Sequence, residues 1–458
     1  MELSLQALAE RFGGEIVYPG EAYNIKFSSI NTDTRAINHG DVFIALKGPN
    51  FDGHNYLDVA TRKGAAAAIV ETPNTNLDLP QWCVGDSYKA LGELGLASRE
   101  KFKGKVIGVT GSCGKTTVKG MLAAICSLAG STVATRGNLN NHIGVPLSLM
   151  RLANEHQFAV IEAGTSGPNE IKYLAELIQP HVAIVNNIMP VHVEGFGSVE
   201  AIAIDKAHLY RGLVAGGVGV LNVASAQQPT LLDALQGKKI TRFNPELTDE
   251  AADVRVQHIK QDTFGRAEFS AIIEGEEVEL KLGVLGAHNV ANALAAASAA
   301  RAVGISVELI KRGLEKYTGD KGRMQLARVN EKLTVIDDTY NASPGSVKAA
   351  IDYVAQFERS AIVFGDMGEL GEMRNSAHEE IGRYAQQKQI KQLWCTGEAS
   401  RFTAQGYGPH AKWFEDKEQL KQALPMLCSS EVVVLVKGSR STRMEQIVNA
   451  LLASGEQK

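Results

Sequence analysis

The stretch Gly108-Val-Thr-Gly-Ser-Cys-Gly-Lys-Thr-Thr117 decides the fold. It follows the apolar pair Val106-Ile107 and opens into a helical pattern over residues 118–128. Strand, glycine-rich turn, Lys-Thr and helix, in that order, form a phosphate-cradling loop. The glycines let backbone N–H groups curl around phosphate oxygens. Thr110, Gly111, Ser112, Cys113, Gly114, Lys115, Thr116 and Thr117 are the expected nucleotide contacts. Lys115 is placed to reach the β- and γ-phosphates, and the Thr116 hydroxyl to hold Mg²⁺. The strict spacing G-x-x-x-x-G-K-[ST] asks for glycine at 109, where this chain has Val109. A nucleoside triphosphate is the expected ligand, and a plain glycine-rich turn is the rival reading.

Working outward, three regions separate. Residues 1–82 combine a helix at Leu5–Phe12, with Ser4 as N-cap, and short strands at 42–46 and 67–70. Pro73 and Pro80 bracket an expected linker. In residues 83–312, apolar runs at 106–109, 158–161, 182–185 and 218–221 alternate with helical patterns at 121–128 and 171–178. That alternation predicts a parallel sheet covered on both faces. Residues 254–285 read as an antiparallel β insertion, and the alanine-rich 287–303 as a buried helix. Residues 313–458 repeat the rhythm, with strands at 333–337, 360–365, 392–396 and 432–437. Helical patterns at 346–357, 377–387, 417–427 and 443–452 separate them. This second α/β region lacks G-x-G-x-x-G, because Gly365, Gly368 and Gly371 are spaced three apart, so no dinucleotide is expected there.

Composition narrows the function classes. The chain has 458 residues, 44% hydrophobic and 21% charged, which describes a multidomain globular protein. A formal net charge of −4 gives no basic bias, so nucleic acid is not an expected partner. No 18-residue apolar run exists, so no membrane span is expected, and the N-terminus lacks a signal-peptide pattern. The five cysteines are widely spaced with no C-x-x-C pair, which points to a reducing cytoplasm and away from structural zinc. Cys113, inside the loop, reads as a small filling residue.

In an open parallel sheet, ligands gather at the carboxyl ends of the strands. The run at 158–161 ends in Glu162, a candidate metal ligand or water-orienting group. The run at 182–185 leads through Asn186-Asn187-Ile188 to His192, a candidate ligand where a structural histidine is the rival. Lys206 falls on a helical pattern and by itself reads as a solvated lysine. Asn289 and Asn292 share a helix face at i, i+3 and suit the edges of a purine, with a capping role for Asn289 as the alternative. Arg323 lies in a hinge-like Gly319-Asp-Lys-Gly-Arg-Met, and Asp337-Asp-Thr-Tyr-Asn-Ala-Ser-Pro344 ends a strand of the last region. These polar groups suit closure over a nucleotide. Lys437-Gly-Ser439 reads as an ordinary strand-to-helix turn.

Taken together, the chain resembles the Mur ligases, which build the peptide stem of bacterial peptidoglycan, along nearly its whole length. The strings carrying the likeness are T-G-S-C-G-K-T-T, G-N-L-N-N-H-I-G-V-P at 137–146, E-A-G at 162–164, H-N-V-A-N-A at 288–293 and G-R-M at 322–324. The stretches at 33–48, 337–344 and 365–371 look like the branch that adds D-alanyl-D-alanine to UDP-N-acetylmuramoyl-tripeptide. The resemblance implies three α/β domains: a UDP-sugar-binding domain at 1–82, a central P-loop ATPase domain at 83–312 and a Rossmann-like domain at 313–458. It implies ATP, two Mg²⁺ ions, an acyl-phosphate intermediate, and a cytoplasmic enzyme expected to be a monomer. By the same resemblance, Lys115, Thr116, Glu162, His192 and Lys206 are the catalytic and metal-binding set, with Lys206 carried as a CO₂-derived carbamate. Asn289 and Asn292 are implied at adenine, Arg323 at the phosphates, and Asp338 and Tyr340 at the ribose. Ser28, Thr34, Arg35 and Lys47 are implied in the UDP pocket, Asn140 and Asn141 near the diphosphate, and Asn341 and Ala342 at the dipeptide. One departure concerns the family string N-I-G-x-x-H, which here reads Asn187-Ile-Met-Pro-Val-His192. Met189 and Pro190 stiffen that loop while the histidine spacing survives.

Two other readings stand beside this one. A relative using a single amino acid as donor, such as a diaminopimelate-adding or folylpolyglutamate ligase, shares the frame. The diaminopimelate-adding type calls for a D-N-P-R-like motif, which this sequence lacks. A P-loop regulatory protein that hydrolyses slowly is the other, and a GTPase is excluded by the missing N-K-x-D.

Overall fold

The computed structural model describes residues 3–17, 25–27, 29–190, 193–248, 251–368, 370–428 and 431–454. The chain forms two compact units. The first takes residues 1–260, 268–281 and 288–316, and the second 261–267, 282–287 and 317–458.

The first unit begins with the helix Leu5–Phe12, whose Ser4 hydroxyl accepts from the Ala7 N–H as the N-cap. A five-stranded sheet follows, in the order 15–17, 81–83, 67–70, 42–44 and 30–31. Side chains alternate between its faces. Val42 and Ile44 pack with Ile69, Trp82 and Leu91, whereas Phe43 packs with Ala68, Leu57 and Ala60 on the other side. The stretch between Pro73 and Pro80, expected as a linker, joins two neighbouring strands of this one sheet. Gln81–Cys83 pairs with Ala67–Val70 on one side and Glu15–Val17 on the other. A three-residue strand is too short for its alternation to register in the sequence.

A nine-stranded sheet dominates the same unit, in the order 132–134, 158–162, 105–110, 182–185, 218–222, 239–244, 254–261, 266–273 and 276–285. The first seven strands pair in parallel. Only residues 262–265 and 274–275 join the last three, too few for a parallel crossover, so these form the antiparallel insertion. Glu274 and Gly275 both have positive φ, as a two-residue hairpin turn requires. Residues 105–110 and 182–185 are nearly continuous apolar runs because both faces are covered, by Val199–Arg211 and Glu170–Ile178 on one side. Across the sheet lie Lys115–Ala129, His288–Ala302 and Val307–Lys316. The alanine-rich helix is buried along most of its length, as its composition predicts.

The second unit holds a six-stranded sheet in the order 325–328, 333–338, 432–437, 360–364, 392–396 and 412–414, parallel except for its first edge strand. Helices Pro344–Val354, Arg374–Gln387 and Ser400–Tyr407 pack on one face, and Lys417–Leu427 and Glu445–Ala453 on the other. Three helices start away from their expected positions, Arg374–Gln387 beginning three residues early, and two of the shifts have local reasons. Ser343 and Ser346 form a capping box with Pro344 at the first turn, so that helix begins earlier than 346. Arg443 has φ of 51°, so the last helix begins only at Glu445. Helix Ser400–Tyr407 had no sequence signal. Its cap is the Asp366 carboxylate, which accepts from the Ala399 and Ser400 N–H groups from 33 and 34 residues away. Among the described residues, no helix is long and apolar enough to cross a membrane.

Candidate functional site

The phosphate loop leaves strand Lys105–Thr110 and enters helix Lys115–Ala129, as the sequence predicts. Val109 needs no glycine's freedom. It lies inside the strand, fully buried, in register with Glu162 on the neighbouring strand. Thr110 is equally buried and donates to the Ala163 carbonyl at 2.8 Å, so its hydroxyl fixes the loop's base. Gly114 has φ of +77°, and a Cβ there would stand 2.4 Å from the Asn292 amide oxygen. The loop therefore needs glycine on two independent grounds. The Lys115 ammonium donates to the carbonyls of Gly111 at 2.8 Å and Ser112 at 3.2 Å, within its own loop.

Glu162 ends the adjacent strand, 1% exposed. Its Oε1 accepts from the Thr116 hydroxyl at 3.2 Å and the Asn140 amide at 2.8 Å. Its Oε2 is buried with no hydrogen-bond partner. A buried carboxylate oxygen without a donor is costly and calls for a cation. Thr116 and Glu162 thus form the hard oxygen pair that Mg²⁺ prefers. Asn140 is drawn into this cluster, while the Asn141 side chain accepts from the Gly144 N–H at 2.9 Å and caps the short helix Gly144–Leu149.

Lys206 sits in helix Val199–Arg211, 3% exposed, so it is not the solvated lysine its surroundings in sequence suggest. Burial, and then the Lys115 ammonium, bring its pKa down to about 8. Its neighbour Asp205 is buried too, and burial raises its pKa against the opposing pull of the Asn169 N–H and the Thr165 side chain. His192, like Ser28, lies outside the described residues. Just before it, the Ser112 hydroxyl accepts from the Met189 N–H at 2.9 Å and donates to the Met189 carbonyl at 3.1 Å. Both bonds use the main chain of residue 189, so this clasp onto the loop does not depend on the methionine side chain. Asn289 and Asn292 are both buried and linked to each other, the Asn292 amide donating to Asn289 Oδ1 at 2.7 Å.

A second site lies in the N-terminal sheet region. Thr34 and Arg35 line a cleft of about 460 Å³ together with Thr32, Asp33, Phe43, Phe51 and Tyr56. The Phe51 and Tyr56 rings stack at 5.3 Å and 18°, and both are exposed. Exposed stacked aromatics beside a cleft suit a planar base. Arg35 chelates Asp33, whose carboxyl it holds below the usual range, with hydrogen bonds of 2.7 to 3.0 Å. Lys47 stands on the hairpin that carries Phe51 and is not among the lining residues.

In the second unit, Arg323, Asp338 and Tyr340 come together. The Arg323 guanidinium lies 3.9 Å over the Tyr340 ring, and the Tyr340 N–H donates to the Gly322 carbonyl at 2.9 Å. Asp338 Oδ1 accepts from the Met324 N–H at 3.2 Å, and its Oδ2 is paired with Lys437. Lys437, 2% exposed, also donates to the Asn341 carbonyl at 2.9 Å. The Asn341 side chain is exposed and accepts from the Ala342 N–H at 2.9 Å, while Ala342 is buried. Sequence reasoning passed over Phe51 and Tyr56 and took Lys437 for part of an ordinary strand-to-helix turn. For Lys437 the available signal was a cation ending an apolar strand next to a strand ending in Asp337-Asp338.

Fold and site together define an α/β protein built around a phosphate-binding loop, with a carboxylate and a buried lysine beside it. Family models match in three places: the Mur ligase middle domain over 109–300, the glutamate ligase domain over 322–440 and the Mur ligase catalytic domain over 26–90. The chain belongs to the Mur ligase family. It is 36% identical over 460 residues to the UDP-N-acetylmuramoyl-tripeptide–D-alanyl-D-alanine ligase of Escherichia coli K12, covering 99% of each chain. A crystal structure of MurF from Acinetobacter baumannii superposes with a TM-score of 0.87 at 34% identity, covering 99% of each chain. MurF from Thermotoga maritima in complex with ADP gives 0.73 at 27% identity, covering 94% of this chain and 98% of that one.

Proposed function

We propose that this protein is an ATP-dependent amide ligase joining D-alanyl-D-alanine to the carboxyl end of UDP-N-acetylmuramoyl-tripeptide. Relatives at 36% and 33% identity across nearly the full chain carry that activity in their names. The observation carrying the reading is Glu162, whose open, buried Oε2 sits beside Thr116 at the mouth of the phosphate loop.

The chemistry asks two anions, the γ-phosphate and the substrate carboxylate, to meet. A carboxylate oxygen attacks the γ-phosphorus, ADP leaves, and an acyl phosphate forms. The amine of D-alanyl-D-alanine then attacks the acyl carbon, phosphate departs, and the amine's proton passes to solvent. Lys115 leaves its own loop carbonyls to hold the phosphates. Thr116, Glu162, His192 and a carbamylated Lys206 are the groups that would hold two Mg²⁺ ions, which supply charge neutralisation there. A pKa near 8 keeps a substantial share of Lys206 neutral at mildly alkaline pH. The ammonium first loses one proton; the neutral amine then bonds to CO₂ and releases a second, so that a cation becomes an oxygen-bearing anion.

Residues 1–82 take the UDP-sugar, with the Phe51–Tyr56 pair stacking on uracil and Thr34 and Arg35 at its edge. Residues 83–312 take ATP, with Asn289 and Asn292 toward the adenine, and 313–458 carry Arg323 for the phosphates, Asp338 and Tyr340 for the ribose, and Asn341 and Ala342 for the dipeptide. The cytoplasm is the compartment that goes with this reading, in keeping with the lack, among the described residues, of a helix long and apolar enough to cross a membrane.

The test is phosphate release. It should require ATP, the UDP-tripeptide and D-alanyl-D-alanine together. Release at the same rate with ATP alone refutes the ligase reading, and equal rates with a single amino acid as donor refute the dipeptide.

A further inference from the structure

Asn186 is assigned no part in the chemistry above, yet the phosphate loop rests on it. It follows strand Val182–Val185, which pairs directly with the loop strand, and its N–H donates to the Thr110 carbonyl at 2.9 Å. The side chain is 2% exposed. Its amide donates twice, to the Cys113 carbonyl at 3.0 Å and to Asn292 Oδ1 at 2.8 Å. Both partners are pure acceptors in this arrangement, which fixes the orientation of the carboxamide. Asn292 passes the chain on by donating to Asn289 Oδ1 at 2.7 Å. Three carboxamides thus align head to tail from the loop into helix His288–Ala302, an arrangement in which each bond polarises the next.

Both loop glycines press on the same side chain. A Cβ at Gly114 would lie 2.6 Å from the Asn186 amide nitrogen, and one at Gly111 would lie 3.1 Å from the Asn186 Cβ. The loop is therefore drawn down to contact distance over Asn186. Asn187 holds the other side, its Oδ1 accepting from the Cys113 N–H at 2.8 Å and its amide donating to the Cys113 carbonyl at 3.0 Å. Asn186 Oδ1 is buried with no hydrogen-bond partner. A site that keeps such a costly group unpaired gains from the two donors on the same carboxamide.

We propose that Asn186 is the positioning residue of the phosphate loop, setting the height at which the loop presents its N–H groups to a nucleotide's phosphates. It touches no phosphate itself and acts through the Cys113 carbonyl and Asn292. This inference rests on the nucleotide-binding reading of the loop. It separates that loop's affinity from the two other substrates, because the UDP cleft is built from a different sheet.

The test uses the full-length chain and Mg-ADP titrated calorimetrically, with steady-state kinetics alongside. Asn186→Ala should weaken Mg-ADP binding and raise the KM for ATP by about tenfold, with the KM for the UDP-tripeptide within about twofold of the parent. Asn186→Asp keeps the shape but turns a donor into an anion facing two oxygens beneath the loop. It should weaken binding further at pH 8 and recover part of the loss at pH 5.5, because burial against two acceptor oxygens pushes this carboxyl above the usual carboxylate range, so that its protonated form again donates. A purely structural lesion would move all three substrates and thermal stability together and would show no recovery at low pH. Unchanged ADP affinity in Asn186→Ala, or a loss in Asn186→Asp that is the same at both pH values, overturns the proposal. If the parent chain itself fails to bind Mg-ADP, the nucleotide reading falls first. If the parent binds and both variants bind equally well, only the role of Asn186 falls.

Discussion

Replacing Lys437 with Met tests the second unit's site where its charge is most deeply enclosed. Lys437 is 2% exposed, and its partner Asp338 has only 14% of its side chain exposed. The ammonium makes two bonds, one to Asp338 Oδ2 and one to the Asn341 carbonyl. Methionine fills the same volume and removes both. A charge-assisted bond contributes about 1.5–3 kcal/mol, and one to a neutral carbonyl about 0.5–1.5 kcal/mol. Stranding a carboxylate in this setting falls at the upper end, so the expected loss is about 3–4 kcal/mol. For a unit of this size that is a fall in Tm of roughly 6–15 °C in the corresponding calorimetric transition. Asp338→Asn alone should cost less, since it leaves an amide that the Met324 N–H still approaches. The double variant Lys437→Met/Asp338→Asn should recover about 2 kcal/mol relative to the sum of the singles, because no uncompensated charge remains. A loss below about 1 kcal/mol in Lys437→Met, or simple additivity in the double variant, refutes the claim that this pair is a buried, coupled ion pair.

The remaining predictions concern the first unit. Lys206 carries a pKa lowered to about 8 from 10.5, so between those values the unfolded chain holds a proton that the folded one lacks. Stability therefore rises with pH across that window, and below pH 8 burial costs up to about 3 kcal/mol. In CO₂-free buffer, Lys206→Met should stabilise the nucleotide-free protein near pH 7 and lose that advantage above about pH 10; a pH-independent difference in urea midpoints contradicts this. The same variant should lose most ligase activity, and a short carboxylic acid added to Lys206→Ala should restore part of it; full activity without rescue removes the carbamate. Glu162→Gln should raise the Mg²⁺ concentration for half-maximal rate by about tenfold or more, whereas an unmoved Mg²⁺ curve separates Glu162 from the metal. Phe51→Ala and Tyr56→Ala should each raise the KM for the UDP substrate by about five- to tenfold with that for ATP unchanged; equal effects on both substrates would detach the stacked pair from the uracil.

The sequence displays some of this plainly and hides the rest for physical reasons. The phosphate loop is legible because strand, glycines, Lys-Thr and helix are contiguous. Glu162 is legible because an apolar run ends abruptly in a carboxylate. Lys206 looks ordinary, since nothing local shows that its helix turns inward onto the loop; only the family resemblance raised it. Phe51 and Tyr56 meet only after the hairpin of 47–48 with 51–52 and the turn at 53–56 bring them into register. The cap of helix Ser400–Tyr407 comes from Asp366, beyond the reach of any local capping rule. Gln81–Cys83 gives no strand signal because it is three residues long and its strand character is conferred by pairing, with Ala67–Val70 just upstream and with the distant Glu15–Val17.

The division of the chain has a practical corollary. The second unit is not one continuous tail, since it includes residues 261–267 and 282–287 as well as everything from 317 onward. Leu285 sits in its main apolar cluster, 4% exposed, with Phe264 packed at the margin, and the Tyr353 hydroxyl donates to the Phe264 carbonyl. A cut at 316 would strip these anchors from the tail and leave their apolar surfaces bare on the remaining piece. Swapping this tail for that of a sister ligase would therefore require transplanting both short segments with it.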